Sequence, residues 1–220
     1  MNLAPHIDQT FLGADATEKE IKKLCRESVR YGFASVCVNP FWVKTCKRIL
    51  KKTQVKVCTV VGFPLGANVS FVKAFEAERA VKDGADEIDI VINIGALKSG
   101  NYNEVRKDIA SVVRVVKGRT VKLILETCYL TSGEIVQACR IASLAGVLFV
   151  KTSTGFGSGG AKVQDVKLIK KVLPPFMKVK ASGGIKDYNT AIKLIKAGAD
   201  RLGTSSGVKI VSEEKLRNKN

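Results

Sequence analysis

The sequence predicts a single-domain α/β protein, a (β/α)8 barrel of the TIM type. Three observations point there. Strand and helix patterns alternate along the whole chain, which implies a parallel sheet. About eight such units fit into 220 residues, within the range of such a barrel. Helices end in Lys-x-Gly-Ala-Asp twice, at Lys82–Asp86 and Lys196–Asp200, each time directly before a strand. A doubly wound open sheet is the alternative, but no Gly-x-Gly-x-x-Gly follows the first strand. The barrel domain is expected over residues 1–211, with a polar C-terminal tail over 212–220.

The elements follow in order. His6–Phe11 reads as a short first strand. Thr17-x-x-Glu20 is a capping box, and Ile21, Leu24, Cys25 and Val29 at helical spacing carry a helix to Gly32. Ala34–Val38 is a strand stopped by Asn39-Pro40. A helix over Phe41–Lys52 leads to the strand Val55–Val61 and the turn Gly62–Gly66. Ser70 starts a helix closed by Gly84, and the strand Asp86–Asn93 follows. Asn101 or Asn103 caps a helix with Val105, Ile109, Val112, Val113 and Val116. Val121–Thr127 is a strand. Thr131-x-x-Glu134 is a second capping box, whose helix runs to Gly146. Val147–Val150 is an unbroken apolar run, the mark of a strand buried on both faces. A helix over Val163–Leu173 ends at Pro174-Pro175. Met177–Ala181 is a strand, Asp187–Lys196 a helix, Asp200–Gly203 a short strand, and a final helix fades into the tail.

Composition narrows the class. Hydrophobic residues make up 45% and charged residues 26%, as in ordinary globular proteins. No apolar run approaches the length of a membrane span, and the N-terminus has no signal-peptide pattern. The six cysteines form no Cys-x-x-Cys pair and read as reduced, buried thiols of a cytoplasmic protein. With one histidine and no close ligand spacing, no metal site is expected. The formal charge of +17 raises the question of nucleic acid. The lysines, however, are spread along helices without interleaved aromatics, so a solvated surface is expected and no specific nucleic-acid partner.

Chemistry in a barrel gathers at the C-terminal ends of the strands. Lys151 ends the sixth strand, where an ammonium is costly unless paired or deprotonated. Lys180 ends the seventh, one unit later, and neighbouring parallel strands lie about 5 Å apart. In Glu87–Asn93, period two puts Glu87, Asp89, Val91 and Asn93 on one face, so Asp89 points into the barrel if Ile88, Ile90 and Ile92 pack on the helices. Asp8 and Thr10 end the first strand. An ammonium beside a second ammonium in a poorly solvated site gives up its proton more readily. The neutral amine of Lys151 could then attack a carbonyl and form a Schiff base, with Asp89 and Lys180 moving protons. Three consecutive turns suit a phosphate: Thr152–Gly155, Ser182–Gly184 and Gly203–Ser206.

These residues resemble the deoxyribose-phosphate aldolases, class I (Schiff-base) aldolases. The matching motifs are Ile7-Asp-Gln-Thr10, Val36-Cys-Val38, Val61-Gly-Phe-Pro64, Glu87–Asn93, Leu123-Ile-Leu-Glu-Thr127, Val150–Gly155, Val179–Gly184 and Gly203–Ser206. The resemblance implies Lys151 as the Schiff-base lysine, with Lys180 and Asp89 as proton donors and acceptors. It puts Asp8, Thr10, Cys37 and Thr154 in support, and a sugar phosphate on Gly155, Gly183, Gly184, Gly203, Ser205 and Ser206. It further implies no metal or organic cofactor, and allows a homodimer. Some relatives carry lysine where this chain has Phe156, and some end in a tail tyrosine that is absent here. Two other readings remain: a different lysine-dependent lyase or transaldolase on the same barrel, and a non-enzymatic basic protein that binds nucleic acid.

Overall fold

Eight parallel strands close on themselves in sequence order in the computed structural model, which describes residues 2–217. They are β1 (Ile7–Phe11), β2 (Ser35–Val38), β3 (Lys56–Val61), β4 (Glu87–Val91), β5 (Thr120–Ile124), β6 (Phe149–Lys151), β7 (Lys178–Ser182) and β8 (Arg201–Thr204). Pairing of β1 with β8, Ile7 opposite Leu202, completes the ring. Around it run α1 (Glu18–Tyr31), α2 (Val43–Leu50), α3 (Ser70–Lys82), α4 (Ile94–Lys98), α5 (Tyr102–Val115), α6 (Ser132–Leu144), α7 (Val163–Val172), α8 (Tyr188–Lys196) and α9 (Gly207–Arg217). This is the (β/α)8 barrel that the alternation predicts.

Local chemistry sets the helix boundaries. Thr17 and Glu20 form the capping box of α1, and Gly32 ends it at φ 71°. Thr131 and Glu134 do the same at the start of α6. The main apolar core lies between strands and helices: Ile88, Ile90 and Ile92 are buried in one cluster with Val105, Ile109 and Val112 of α5. Each such side chain contributes roughly 1.5–3 kcal/mol by leaving water. A second, small cluster of Leu12, Cys37, Cys58 and Val60, with Phe63 against it, fills part of the barrel interior. Ionic side chains fill much of the remainder: Asp8, Glu87, Asp89, Lys122, Lys151 and Lys180 are buried there.

Several expectations need correction. Asn93 does not face the barrel beside Asp89. It is the N-cap of the unpredicted α4, and its side chain accepts a hydrogen bond from the Ala96 amide. The strand expected to reach Thr127 stops at Ile124, because Glu126 turns left-handed at φ 57°. The helix expected from Phe41 begins as a 3-10 turn, Pro40–Trp42. Thr204, expected in a turn, still belongs to β8. The last helix continues to Arg217, well into the stretch read as a polar tail, because Glu214 is buried there and accepts the Leu3 amide. Positions 218–220 lie outside the described residues.

Candidate active site

Lys151 is the last residue of β6 and is 1% exposed. Its register partner on β7 is Lys180. Both ammoniums converge on one oxygen of Asp89 in β4: Oδ2 lies 2.9 Å from Lys151 Nζ and 2.8 Å from Lys180 Nζ. The sequence-predicted trio therefore meets inside the barrel. Lys180 also reaches Asp8 Oδ2 at 2.6 Å.

Sequence reasoning missed two further cations. Lys122 of β5, opposite Asp89 in register, holds Asp89 Oδ1 at 2.9 Å and Glu87 Oε2 at 2.6 Å. Arg201, at the start of β8, clamps Asp8 and reaches Glu87 Oε2 at 3.3 Å. Four cations thus face three carboxylates: Lys122, Lys151, Lys180 and Arg201 against Asp8, Glu87 and Asp89. Lys151 touches one carboxylate, whereas Lys122 and Lys180 each touch two or more.

The charges override the cost of burial. Burial alone would raise the Asp89 carboxyl, but Lys122, Lys151 and Lys180 hold it well below its ordinary range. Asp8 is likewise pushed up by burial and pulled further down by Lys180, Lys122 and Arg201. Burial would deprotonate Lys180, yet Asp8 and Asp89 lift it above its ordinary value. Lys122 is raised for the same reason, chiefly by Asp89. Cys37, Cys58 and Asp89 bring ligand-type atoms within 4.8 Å of one another. The Asp89 oxygens already carry ammoniums, however, and these repel a metal cation.

The mouth above this cluster holds a cavity of about 270 Å³. Thr10, Thr154, Gly155, Gly183, Gly184, Gly203 and Ser205 line it, so the three predicted turns do converge. Ser206 is not among the lining residues, and its amide donates to Thr204 Oγ1 at 2.9 Å. Cys37 sits deeper, buried beside Cys58 in register. Gly183, at φ 91°, adopts a backbone that side-chain-bearing residues rarely do, and a Cβ there would stand 3.0 Å from Gly160 Cα. Gly203 is needed for space: a Cβ would stand 3.0 Å from Lys180 Cε. Lys186, exposed at the rim, adds a cation that sequence reasoning did not pick. A second cavity of about 390 Å³, between Leu65, Ile94, Tyr129 and Phe156, adjoins the first through Thr154 and Phe156.

A closed barrel with a lysine–carboxylate centre under an anion-suited mouth is the architecture of a barrel lyase acting on carbonyl compounds. The chain belongs to the DeoC/LacD family of aldolases, whose sequence profile matches residues 3–213. It is 57% identical to the deoxyribose-phosphate aldolase of Thermococcus gammatolerans over 215 residues, 96% of each chain. Among solved structures it superposes on an aldolase designated QR15 with a TM-score of 0.95 and 45% identity, covering 100% of this chain and 98% of that one. The deoxyribose phosphate aldolase of Aeropyrum pernix, described as a tetramer, gives 0.90 and 35% over 97% of this chain and 91% of that one. No described helix is long and apolar enough to cross a membrane.

Proposed function

We propose that the protein reversibly cleaves 2-deoxy-D-ribose 5-phosphate to D-glyceraldehyde 3-phosphate and acetaldehyde through a Schiff base on Lys151, in deoxyribonucleoside breakdown. The convergence of two buried lysines on one carboxylate carries the reading: Lys151 and Lys180 both meet Asp89 Oδ2. Lys151, the last residue of β6 and in contact with a single carboxylate, is the amine that reacts. Its Nζ attacks C1 of the open-chain aldehyde, and loss of water gives an iminium. A base takes the proton of the C3 hydroxyl, the C2–C3 bond breaks, and its electron pair enters the enamine. Glyceraldehyde 3-phosphate leaves, C2 is protonated, and hydrolysis frees acetaldehyde and the amine. These proton transfers are assigned to Asp89, 2.9 Å from Lys151 Nζ, and to Lys180, 2.8 Å from Asp89. The sugar phosphate is assigned to the cavity formed by the three turns, with Lys186 supplying charge.

Incubation with acetaldehyde and borohydride is expected to add a reduced two-carbon adduct to Lys151, read by peptide mass spectrometry. A folded protein left unmodified at Lys151 would overturn the reading. Cytoplasmic residence is part of the same proposal, supported by six free cysteines. So is self-association. The outer face of α3 exposes Phe71, Val72 and Phe75 beside Leu65 and Val69, although the inner face of the helix is already buried. A second copy of the chain would cover this apolar surface.

A further inference from the structure

We propose that Glu126 is a positioning residue that sets the preference for phosphorylated over unphosphorylated sugar, an inference that rests on the reaction proposed above. Glu126 stands just past the end of β5 with φ 57° and ψ 64°, a left-handed backbone unusual for a residue with a side chain. Its side chain is buried and makes no salt bridge among the described residues. The neighbours on either side continue strand-like pairing. The Leu125 amide donates to the Lys151 carbonyl at 2.9 Å, and the Thr127 amide to the Thr152 carbonyl at 2.9 Å. The left-handed turn between them throws the carboxylate across to Thr154.

There it takes three hydrogen bonds. The Thr154 amide donates to Oε1 and Oε2, each at 3.3 Å, and the Thr154 hydroxyl donates to Oε2. The hydroxyl oxygen then accepts the Phe156 amide at 3.0 Å. Glu126 thus fixes Thr154, and Thr154 fixes Phe156. This short segment is the partition between the two cavities: Thr154 and Phe156 line both, the polar one at the phosphate turns and the more apolar one beside Tyr129. Apart from a long contact from Cys128 Sγ to Oε1 at 3.9 Å, the buried carboxylate, held in a left-handed backbone and without a salt bridge among the described residues, bonds only this segment. Lys151 does not depend on it, because its carbonyl is held by a main-chain bond and its amine by Asp89. Loss of the Glu126 carboxylate should therefore loosen the phosphate end of the substrate and spare the amine chemistry.

The test compares kcat and KM for 2-deoxyribose 5-phosphate and for 2-deoxyribose in the wild type, Glu126→Gly and Thr154→Val. Glycine suits the backbone at this position, and thermal melting checks that the fold persists. For Glu126→Gly, KM for the phosphorylated sugar should rise about tenfold, with kcat/KM for deoxyribose within about twofold of wild type. Thr154→Val should lower the same preference, and the double variant should lower it no further than the worse single one. Equal losses on both sugars, or an unchanged preference in either variant, would overturn the role of Glu126. A wild type inert toward both sugars would instead overturn the proposed reaction.

Discussion

Asp8 shows what a single residue does in the buried network. It meets Lys180 and Arg201, and its carboxyl is held below the ordinary 3.8. A carboxyl lowered on folding contributes stability above its unfolded value and loses it as pH falls through the folded value. That contribution should thus be complete at neutral pH and decline below about pH 4. Asp8→Asn leaves two buried cations short of a partner and should cost about 3–5 kcal/mol at pH 7. Denaturant titrations at pH 7 and pH 3 check this, and an equal deficit at both would contradict it. Lys151, Lys180 and Asp89 were legible because a charge inside an apolar run has few reasons to be there. Lys122 gives the same signal in Val121–Leu125, but it is the second residue of the expected strand Val121–Thr127, and Lys56 and Lys178, which open their strands, face solvent. Strand position alone does not separate these cases. The register with Asp89 does, and it exists only in the folded barrel.

At the scale of elements, helix starts were legible because their signals are local. The Thr17–Glu20 box sits on an exposed turn and makes no bond to the lysine cluster. Thr17→Ala should therefore cost about 1 kcal/mol, lower Tm by roughly 2–4 °C, and leave kcat unchanged. Calorimetry and an activity assay measure both. Strand ends were harder. Period two placed Asn93 on the barrel face with Asp89, but the chain leaves the sheet after Val91 and uses that amide side chain as a cap. Glu126 carried no readable sign of its left-handed backbone, since the bonds to Thr154 that hold it come from the next βα unit.

For the whole molecule, fold class was legible from alternation, because eight units of one handedness have few ways to bury their strands. Surface use was not. Spacing in Ser70–Lys82 does not reveal that Phe71 and Phe75 are exposed, stacked at 6.4 Å. If this face is an interface between copies, the wild type should exceed monomer mass in light scattering, and Phe71→Lys with Phe75→Lys should reduce it to monomer. A monomeric wild type would contradict this. The formal charge of +17 opposes such association at low salt and favours capture of an anionic sugar.

The sharing of Asp89 by three ammoniums has a consequence for enzymology. Groups this close do not titrate independently, so the limbs of a pH–rate profile belong to the set and not to any one lysine. Replacing Lys180 or Lys122 should then displace a limb as well as lower its height. Effects of such substitutions will not sum, and the centre behaves as one polybasic acid folded into a barrel.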